Sequence, residues 1–249
     1  MILTRILALS LFSIALAACS AEEPRAIAQK ACKGVAYRGR MIEINTGSPR
    51  VESLLKEKEV ILTFDDGPHP SRTEEMLSIL KEYCVPAVFF LRGDNAYRHP
   101  QKVRTIWESG HLIGGHSVRH DHLPQLEFDE ATADIDRGIQ LIADALHEVD
   151  PKWEPKLFRF PYFDTTPELS AYVKQRGLVE IGANASGKDW FHKTPESIVN
   201  EVMTRLAANK QSGVILLHDP FEYTNEAIVL LLDELIAQGY VFSDITITD

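Results

Sequence analysis

Residues 60–68 read Val-Ile-Leu-Thr-Phe-Asp-Asp-Gly-Pro, an apolar run that ends in two acids and a turn. A short apolar run of this kind is typical of a parallel strand that is buried on both faces. Asp-Gly-Pro favours a turn, and α/β folds build their active sites just behind the strand ends. The stretch therefore predicts a β/α unit with candidate functional residues at its carboxyl end.

The same apolar pattern recurs along the chain and predicts further buried strands. These lie at residues 87–91, 112–113, 157–160, 178–183, 213–217 and 240–242. Seven strands with intervening helices favour an α/β barrel or a closely related open sheet. Because residues 58–249 contain no repeat and no linker, they are expected to form a single domain.

Helix ends are predicted between these strands. A capping box at Ser71-Arg72-Thr73-Glu74 and a Thr-Pro pair at 166–167 and at 194–195 favour helix starts, and an apolar stripe favours a long helix near 129–148. Three glycines stand where helices are expected to end: Gly110, Gly177 and Gly239.

Composition restricts the function classes. The 249 residues include 26 Lys and Arg against 36 Asp and Glu, a formal net charge of -10. An acidic chain lacks the basic face that a phosphate backbone attracts, so nucleic acid is not an expected partner.

The N-terminus predicts export. Residues 1–18 carry Arg5 and then an apolar run that is shorter than a membrane-spanning helix, as in a signal peptide. The run ends in Leu-Ala-Ala-Cys at 16–19, which resembles the bacterial lipoprotein cleavage box. That resemblance implies lipidation of Cys19, a membrane partner through the lipid anchor, and a cell-envelope location facing the periplasm or exterior. A plain secretory peptide or a short anchor is the alternative. Residues 19–57 are expected to form a tether and N-terminal segment that ends against the domain.

Two further cysteines, Cys32 and Cys84, form an even pair in an oxidising compartment if Cys19 is lipidated. A disulfide between them would close a loop of about 52 residues, worth ~4 kcal/mol in the chain-entropy model. Two buried free thiols are the alternative.

Asp65 and Asp66 are adjacent carboxylates at a predicted strand end. Such a pair is unfavourable because the two negative charges repel each other and both carboxylates are partly desolvated. A bound cation offsets that cost. Successive side chains of a strand point to opposite faces, so one acid can bind a metal while the other faces a substrate. A solvated turn is the alternative.

His116 and His120 are four residues apart, which puts both imidazoles on one face of a helical turn. Two imidazoles with one carboxylate leave open metal positions, the pattern of a catalytic site. A chance surface pair is the alternative, and Asp121 and His122 are substitute ligands.

Three later segments follow or end predicted strands. They are Arg-Phe-Pro-Tyr at 159–162, Asp-Trp at 189–190 and Leu-Leu-His-Asp at 216–219. Taken singly, each of these residues also has a purely structural interpretation. Arg159 could form a salt bridge at the rim, Tyr162 could be a core aromatic residue, and His218 could be a core histidine.

The ordered set TFDDGP, HSVRH, RFPY, DW and LLHD resembles the polysaccharide deacetylase family, also called the NodB-homology or carbohydrate esterase family 4 domain. The resemblance covers about residues 58–245. It implies a distorted (β/α)7 barrel similar to the TIM barrel.

The resemblance also implies roles for individual residues. Asp66, His116 and His120 would hold a divalent metal, with Zn²⁺ expected and Co²⁺, Ni²⁺ or Mn²⁺ as alternatives. Asp65 resembles the catalytic base, and Arg159 the partner that keeps that base ionised and in place.

The remaining roles concern the leaving group and the acetyl group. His218 resembles the general acid, and Asp189 the carboxylate that keeps it charged and oriented. The backbone N–H of Tyr162 would stabilise the oxyanion. Trp190 and Leu216 would wall the pocket for the acetyl methyl group.

Two positions depart from the family pattern. Phe163 stands where the family usually has Gly after Pro-Tyr, and the run at 186–190 lacks the first acid of the usual Asp-x-x-Asp-Trp. Both changes affect the expected choice of substrate more than the expected activity.

The leading hypothesis is a metal-dependent hydrolase that removes N-acetyl groups from an acetylated amino-sugar polysaccharide: peptidoglycan, a chitin-like oligomer or an exopolysaccharide. The alternatives are an O-acetyl esterase on a xylan-type polymer, a non-catalytic glycan-binding lipoprotein and a structural metal lipoprotein.

Overall fold

Nine parallel strands form one sheet in the structure, a computed structural model that describes residues 38–248. The strands are β1 (Arg38–Ile44), β2 (Glu59–Asp65), β3 (Ala87–Leu91), β4 (Leu112–Gly115), β5 (Leu157–Phe158), β6 (Val179–Glu180), β7 (Ala185–Ser186), β8 (Gly213–His218) and β9 (Val241–Ile247). β2 pairs with both β3 and β8, which gives the order β7-β8-β2-β3-β4-β5-β6. In the described part of the chain, no pairing joins β6 to β7, so the barrel is nearly closed.

Seven α-helices connect the strands. They are α1 (Arg72–Tyr83), α2 (Gly93–Arg98), α3 (Pro100–Glu108), α4 (Phe128–Leu146), α5 (Pro167–Gln175), α6 (Pro195–Ala208) and α7 (Thr224–Ala237). Short 3-10 turns lie at Val51–Leu54, Leu123–Gln125 and Pro161–Phe163. The predicted single-domain distorted (β/α)7 barrel is confirmed.

Most of the predicted helix ends are present. The Thr166 and Thr194 hydroxyls accept hydrogen bonds from backbone N–H groups three residues on, at 3.2 and 3.3 Å. Gly110, Gly177 and Gly239 adopt φ values of 82°, 76° and 78°, the left-handed conformation that ends helices.

The predicted capping box at 71–74 is wrong. α1 does begin at Arg72, but the Ser71 side chain makes no capping hydrogen bond. The imidazole of His69 replaces it, since its Nδ1 accepts the backbone N–H groups of Ser71 and Arg72 at 3.3 and 3.2 Å.

The strand set differs from the prediction at three places. Residues 240–242 do enter a strand, but β9 lies outside the barrel and pairs with β1 and the start of β2. The seventh barrel strand is β7, whose two residues are too few to show a periodic pattern. β1 was not expected, because it lies in the segment interpreted as a tether.

Two apolar layers hold the barrel. Inside it, a buried cluster includes Ile61, Phe90 and Val214, and Ile42 and Val51 from the segment before β2 join this cluster. A larger cluster fills the space between strands and helices. The interior below the strand ends is therefore solid apolar packing, which leaves the carboxyl ends as the place for polar side chains.

The predicted signal peptide, Cys19 and Cys32 all lie outside the described residues. Cys84 is disulfide-bonded, while both other cysteines of the chain fall in the part that is not described. The pairing of Cys32 with Cys84 stays a prediction. Between residues 38 and 248, none of the helices has the length and apolar character that crossing a bilayer requires.

Candidate active site

All five sequence segments meet at the carboxyl ends of the barrel strands. Asp65 ends β2, His116 follows β4, Arg159 follows β5 and His218 ends β8, while Asp189 stands three residues beyond β7. They surround a cavity of about 420 Å³ whose lining is Asp65, Asp66, His116, His120, Phe160, Tyr162, Phe163, Trp190, Leu216, His218 and Phe221.

Three side chains in this cavity converge as metal ligands would. One ligand atom each from Asp66, His116 and His120 lies within 4.8 Å of the others. Asp66 Oδ1 is 3.7 Å from His120 Nε2 and 3.9 Å from His116 Nε2. The proposed substitutes do not join this group among the residues that the structure describes. His122 instead stacks on Tyr162 with ring centroids 3.8 Å apart.

The hydrogen bonding of His116 leaves one ring nitrogen free for a ligand. Its Nδ1 lies 2.7 Å from the Arg159 carbonyl oxygen, which only accepts, so Nδ1 carries the proton and Nε2 keeps its lone pair. Burial lowers the pKa of His116 to about 3, so the ring is neutral. Second hydrogen bonds of this kind orient metal-binding imidazoles.

Two polar atoms of the convergent group are buried without a partner. Within residues 38–248, Asp66 Oδ1 and His116 Nε2 make no hydrogen bond. An unpaired buried polar atom is costly, and few such atoms occur in folded proteins. Because these two belong to a donor set of two imidazoles and a carboxylate, the residues fit a divalent metal.

The loop geometry that gathers the ligands is irregular, and the expected helical turn at 116–120 is wrong. These residues form a bend in which Ser117 and His120 adopt positive φ values of 59° and 67°. The Ser117 hydroxyl accepts the His120 N–H at 2.9 Å. Asp66 also has a positive φ, 68°, and the Asn95 amide donates to its carbonyl at 2.8 Å. Backbone strain of this kind is typical of functional sites.

Asp65 binds a buried guanidinium. Arg159 Nη1 donates to Asp65 Oδ1 at 2.7 Å, and Arg159 is fully buried, so the interpretation as a rim salt bridge is wrong. Its other donors are satisfied by Thr63 Oγ1 and by the carbonyls of Ile181 and Gly182, at 2.8 to 3.0 Å. Burial raises the pKa of Asp65, and the charge of Arg159 opposes that rise.

Arg159 leaves the other oxygen of this carboxylate on the cavity side. Asp65 Oδ2 is 3.8 Å from His116 Nε2, beside the convergent ligand atoms. The two adjacent acids thus differ in their partners, because one is held by a cation and the other has an unpaired buried oxygen. The structure brings together the predicted base and the predicted metal ligands, while their roles remain predictions.

His218 is held by a carboxylate from the turn after β7. Its Nδ1–H donates to Asp189 Oδ1 at 2.8 Å, and Asp189 Oδ2 accepts the His218 N–H and the Thr224 hydroxyl, both at 2.7 Å. Burial lowers the pKa of His218, but the hydrogen bond and charge of Asp189, with Asp65 and Asp66, outweigh it and raise the pKa to about 9. The ring is therefore protonated at neutral pH.

Aromatic side chains form much of the cavity wall. Tyr162 is 55% exposed, so it is not a core residue, and Trp190 is 47% exposed. The Trp190 ring meets His218 edge-on at 5.2 Å, and Leu216 is buried beneath. Phe160 and Phe221 also line the cavity, although the motifs had not marked either as a site residue.

Sequence reasoning missed several supporting residues. Thr63 carries a hydroxyl on β2 that donates to Ile215 on β8 and accepts from Arg159. Thr224 binds Asp189 from the start of α7. Thr63 begins the TFDDGP motif, but the motif does not indicate which groups its hydroxyl contacts, and no local pattern marks Thr224. Their contacts depend on which strands and helices are neighbours.

Asp219 is a further buried acid next to the site. Its Oδ2 accepts a hydrogen bond from Thr73, and burial raises the pKa of Asp219 to about 7. The carboxylate lies so close to Gly67 that a Cβ there would be 2.6 Å from its oxygens. The His-Asp pair at 218–219 could have suggested this acid.

The altered fourth motif has a structural explanation. Where the first acid of the pattern is missing, the Ser186 hydroxyl accepts the Lys188 N–H at 3.2 Å. Lys188 has a φ of 47° and pairs with Glu201 at 3.1 Å. The turn that presents Asp189 is therefore held without that acid.

A nearly closed α/β barrel whose polar side chains surround one cavity at the carboxyl ends is the architecture of a barrel enzyme. Comparison with known proteins identifies the family of this barrel. The chain matches the polysaccharide deacetylase family over residues 53–181. It is 32% identical over 194 residues to the peptidoglycan-N-acetylglucosamine deacetylase of Bacillus cereus, covering 75% of this chain and 85% of that protein. It is 30% identical over 164 residues to the chitooligosaccharide deacetylase of a Bradyrhizobium species, covering 66% and 72%.

A solved structure agrees with these matches. The peptidoglycan deacetylase of Bdellovibrio bacteriovorus superposes with a TM-score of 0.75 at 31% identity, over 88% of this chain and 63% of that chain. The chain belongs to the polysaccharide deacetylase family, and the resemblance read from its five motifs is confirmed.

Proposed function

We propose that this chain is a metal-dependent hydrolase that removes N-acetyl groups from an amino-sugar polysaccharide. One observation carries the proposal: the residues with unpaired ligand atoms, Asp66 and His116, line the same cavity as an Arg159-bound Asp65 and an Asp189-bound His218. A binding protein needs no such pairing of base and acid. The relatives named above act, by their names, on peptidoglycan and chitooligosaccharides.

Asp66, His116 and His120 would hold the metal. A divalent ion bound by two imidazoles and one carboxylate keeps open positions, and it acts as a Lewis acid that makes water nucleophilic near neutral pH. Zn²⁺ suits this donor set, and Co²⁺, Ni²⁺ or Mn²⁺ are alternatives.

Asp65 would take the proton from the attacking water. Burial raises the pKa of Asp65, which makes the carboxylate a stronger base, while the charge and hydrogen bond of Arg159 favour the ionised form that accepts a proton. Arg159 also fixes one oxygen of Asp65, so the other is presented to the cavity in one orientation. Positioned bases of this kind contribute about 10²–10⁴ to a rate.

His218 would donate a proton to the departing nitrogen. An amine leaves poorly unless it is protonated, so this step requires a donor that is charged at working pH. The raised pKa of His218 meets that requirement, and Asp189 holds the ring. The Tyr162 N–H would stabilise the oxyanion that forms as the carbonyl carbon becomes tetrahedral.

Leu216 and Trp190 would receive the acetyl methyl group. Both side chains are apolar, and both line the cavity beside His218. We further propose that the chain acts in the cell envelope, facing the periplasm or exterior. The signal peptide predicted at 1–18 and the lipidation predicted at Cys19 support that location, which would bring the chain to peptidoglycan or to an exported polysaccharide.

Acetate release tests the proposed activity. Purified chain is incubated with N-acetylglucosamine oligomers, peptidoglycan and acetylated xylan, with and without a chelator, and acetate is quantified. We expect release from the amino-sugar substrates, loss with chelator and recovery when Zn²⁺ is restored.

Two other outcomes would contradict the proposal. Release from acetylated xylan alone would indicate an O-acetyl esterase. A folded, metal-supplemented chain that releases acetate from none of these glycans would contradict catalysis itself.

A further inference from the structure

Phe163 has an unfavourable backbone conformation at the edge of the cavity. Its φ is 55°, and it directly follows Tyr162, whose φ is 59°. A bulky residue in the left-handed region is uncommon because its Cβ approaches the following carbonyl, and glycine avoids this conflict. The chain therefore keeps a phenyl ring at a position where the backbone favours glycine.

Burial does not compensate for this strain. Phe163 remains 45% exposed, and it belongs to none of the three buried apolar clusters in the described part of the chain. The Arg159 guanidinium lies 5.6 Å from the centroid of the Phe163 ring, whereas it lies only 4.2 Å from the centroid of the Phe90 ring. Packing around Arg159 is thus supplied mainly by Phe90.

The ring does line the substrate cavity. It stands next to Tyr162 and shares the lining with Trp190 and Phe221, so the wall presents exposed aromatic surface beside a few polar groups. Exposed apolar surface in a cavity with convergent polar residues is typical of a ligand-binding wall. A pyranose ring offers an apolar C–H face to such a surface, while its hydroxyls project from the ring edge.

We propose that Phe163 is a specificity-determining residue that stacks on a sugar ring of the substrate polymer. The inference rests on the proposed function, because it assigns the substrate of the same site. Phe163 has no polar side-chain atom and moves no proton, so its contact holds in the bound substrate and in the transition state alike. Binding of this uniform kind lowers KM and leaves kcat unchanged.

Three variants test this assignment. Phe163→Leu keeps apolar bulk and the strained backbone but removes the flat ring, while Phe163→Gly removes the ring and the strain. Phe191→Leu is the matched control, since Phe191 is 70% exposed beside Trp190 yet does not line the cavity. The measurements are KM and kcat on tetra-N-acetylchitotetraose, the Kd of its deacetylated tetramer, and the melting temperature.

We expect both Phe163 variants to raise KM and Kd by about threefold to tenfold, the range that a single aromatic contact supplies. kcat should stay within about twofold. Phe163→Gly should melt no lower than the parent chain because glycine adopts this φ freely. Phe191→Leu should match the parent chain in all measurements.

Unchanged KM and Kd in both Phe163 variants would overturn the inference. A fall in kcat at constant KM would overturn it as well, because the ring would then act on the chemistry through Arg159. The proposed function fails separately: a parent chain that releases no acetate contradicts that function, and the Kd ratios alone then decide on Phe163.

Discussion

The two walls of the cavity differ in how completely their polar atoms are paired. On the wall formed by Asp66 and His116, two buried ligand atoms have no hydrogen-bond partner between residues 38 and 248. On the wall formed by Asp189 and His218, one carboxylate accepts three hydrogen bonds, from Nδ1 and N–H of His218 and from Thr224.

We call the wall of Asp66 and His116 the binding half, because its unpaired atoms are open to a ligand. We call the wall of Asp189 and His218 the preassembled half, because its hydrogen bonds are already formed. Unpaired buried polar atoms are costly, so we expect the first wall to be stabilised by a bound ligand. The second wall is complete within the protein, and its charge is set before a substrate arrives. Substitutions on the first wall should therefore change metal content, while those on the second should change pH dependence and stability.

The largest effect is expected at the residue that faces both walls. Asp65→Asn removes the proposed base and leaves the three convergent residues Asp66, His116 and His120 in place, so kcat should fall by about 10²–10⁴. Metal content per chain, measured by plasma mass spectrometry, should stay at the parent level. Asp136→Asn is a control on the barrel exterior, where Asp136 binds Arg176, and it should keep full rate. Full activity in Asp65→Asn would refute the assignment of the base.

His116→Ala tests metal binding by the binding half. It removes one of the three proposed ligands, so the affinity for Zn²⁺ should fall by about 100-fold or more, beyond the loss usual for residues that only support ligands. Competition with a fluorescent chelator measures it. His122→Ala is the matched control, because that imidazole lies near the site but outside the convergent group, and it should retain metal. Equal losses in both variants would contradict the ligand assignment.

Asp189→Asn tests whether the second wall sets the pH dependence of the reaction. The change weakens the hydrogen bond and removes the charge by which Asp189 raises the pKa of His218 to about 9, so the pKa should fall. The alkaline limb of kcat should then move to lower pH by about one unit or more. A pH profile of acetate release from pH 6 to about 10 measures this shift. An unmoved alkaline limb would show that another group sets it.

The raised pKa of His218 should also make the free energy of unfolding depend on pH. The folded pKa of His218 lies above the ordinary value of 6.5, so protonation stabilises the folded chain fully below pH 6.5. That contribution is lost as pH rises from 6.5 through about 9. In Asp189→Asn, the free energy of unfolding should therefore decline less over this interval.

The smallest effect is expected from Thr224→Val. The change removes one of three hydrogen bonds to Asp189, so unfolding free energy should fall by about 1 kcal/mol. Urea titration measures the loss, and Thr224→Ser, which keeps the hydroxyl, should lose much less. Metal content should be unchanged in both, since this wall does not bind the ion. A change in metal content would contradict the separation of the two halves.

The sequence predicted the barrel, and it predicted which side chains meet at one end of it, because each motif lies next to a strand end. Asp65 and His218 follow apolar runs, and parallel strands bring such ends to one edge whatever the details of packing. The prediction failed where an element is short or irregular. β7 has only two residues, and 116–120 form a bend with positive φ values that spacing alone cannot reveal.

Residues that support the site were beyond sequence reasoning for a different reason. Thr63 reaches Ile215 only because β2 pairs in register with β8, and Thr224 reaches Asp189 only because α7 starts beside the turn after β7. Such contacts depend on tertiary neighbours, and one sequence carries no local signal for them.

Arg159 serves both acid and ligand through different atoms, because its guanidinium binds Asp65 while its carbonyl oxygen fixes the ring of His116. Every residue type has that carbonyl, whereas the guanidinium belongs to arginine alone. Under the proposed function, replacing the Arg159 side chain is therefore expected to abolish turnover while the backbone contact that orients the His116 ring remains. We then expect a single substitution to convert the proposed hydrolase into a chain that holds metal and substrate without turning the substrate over.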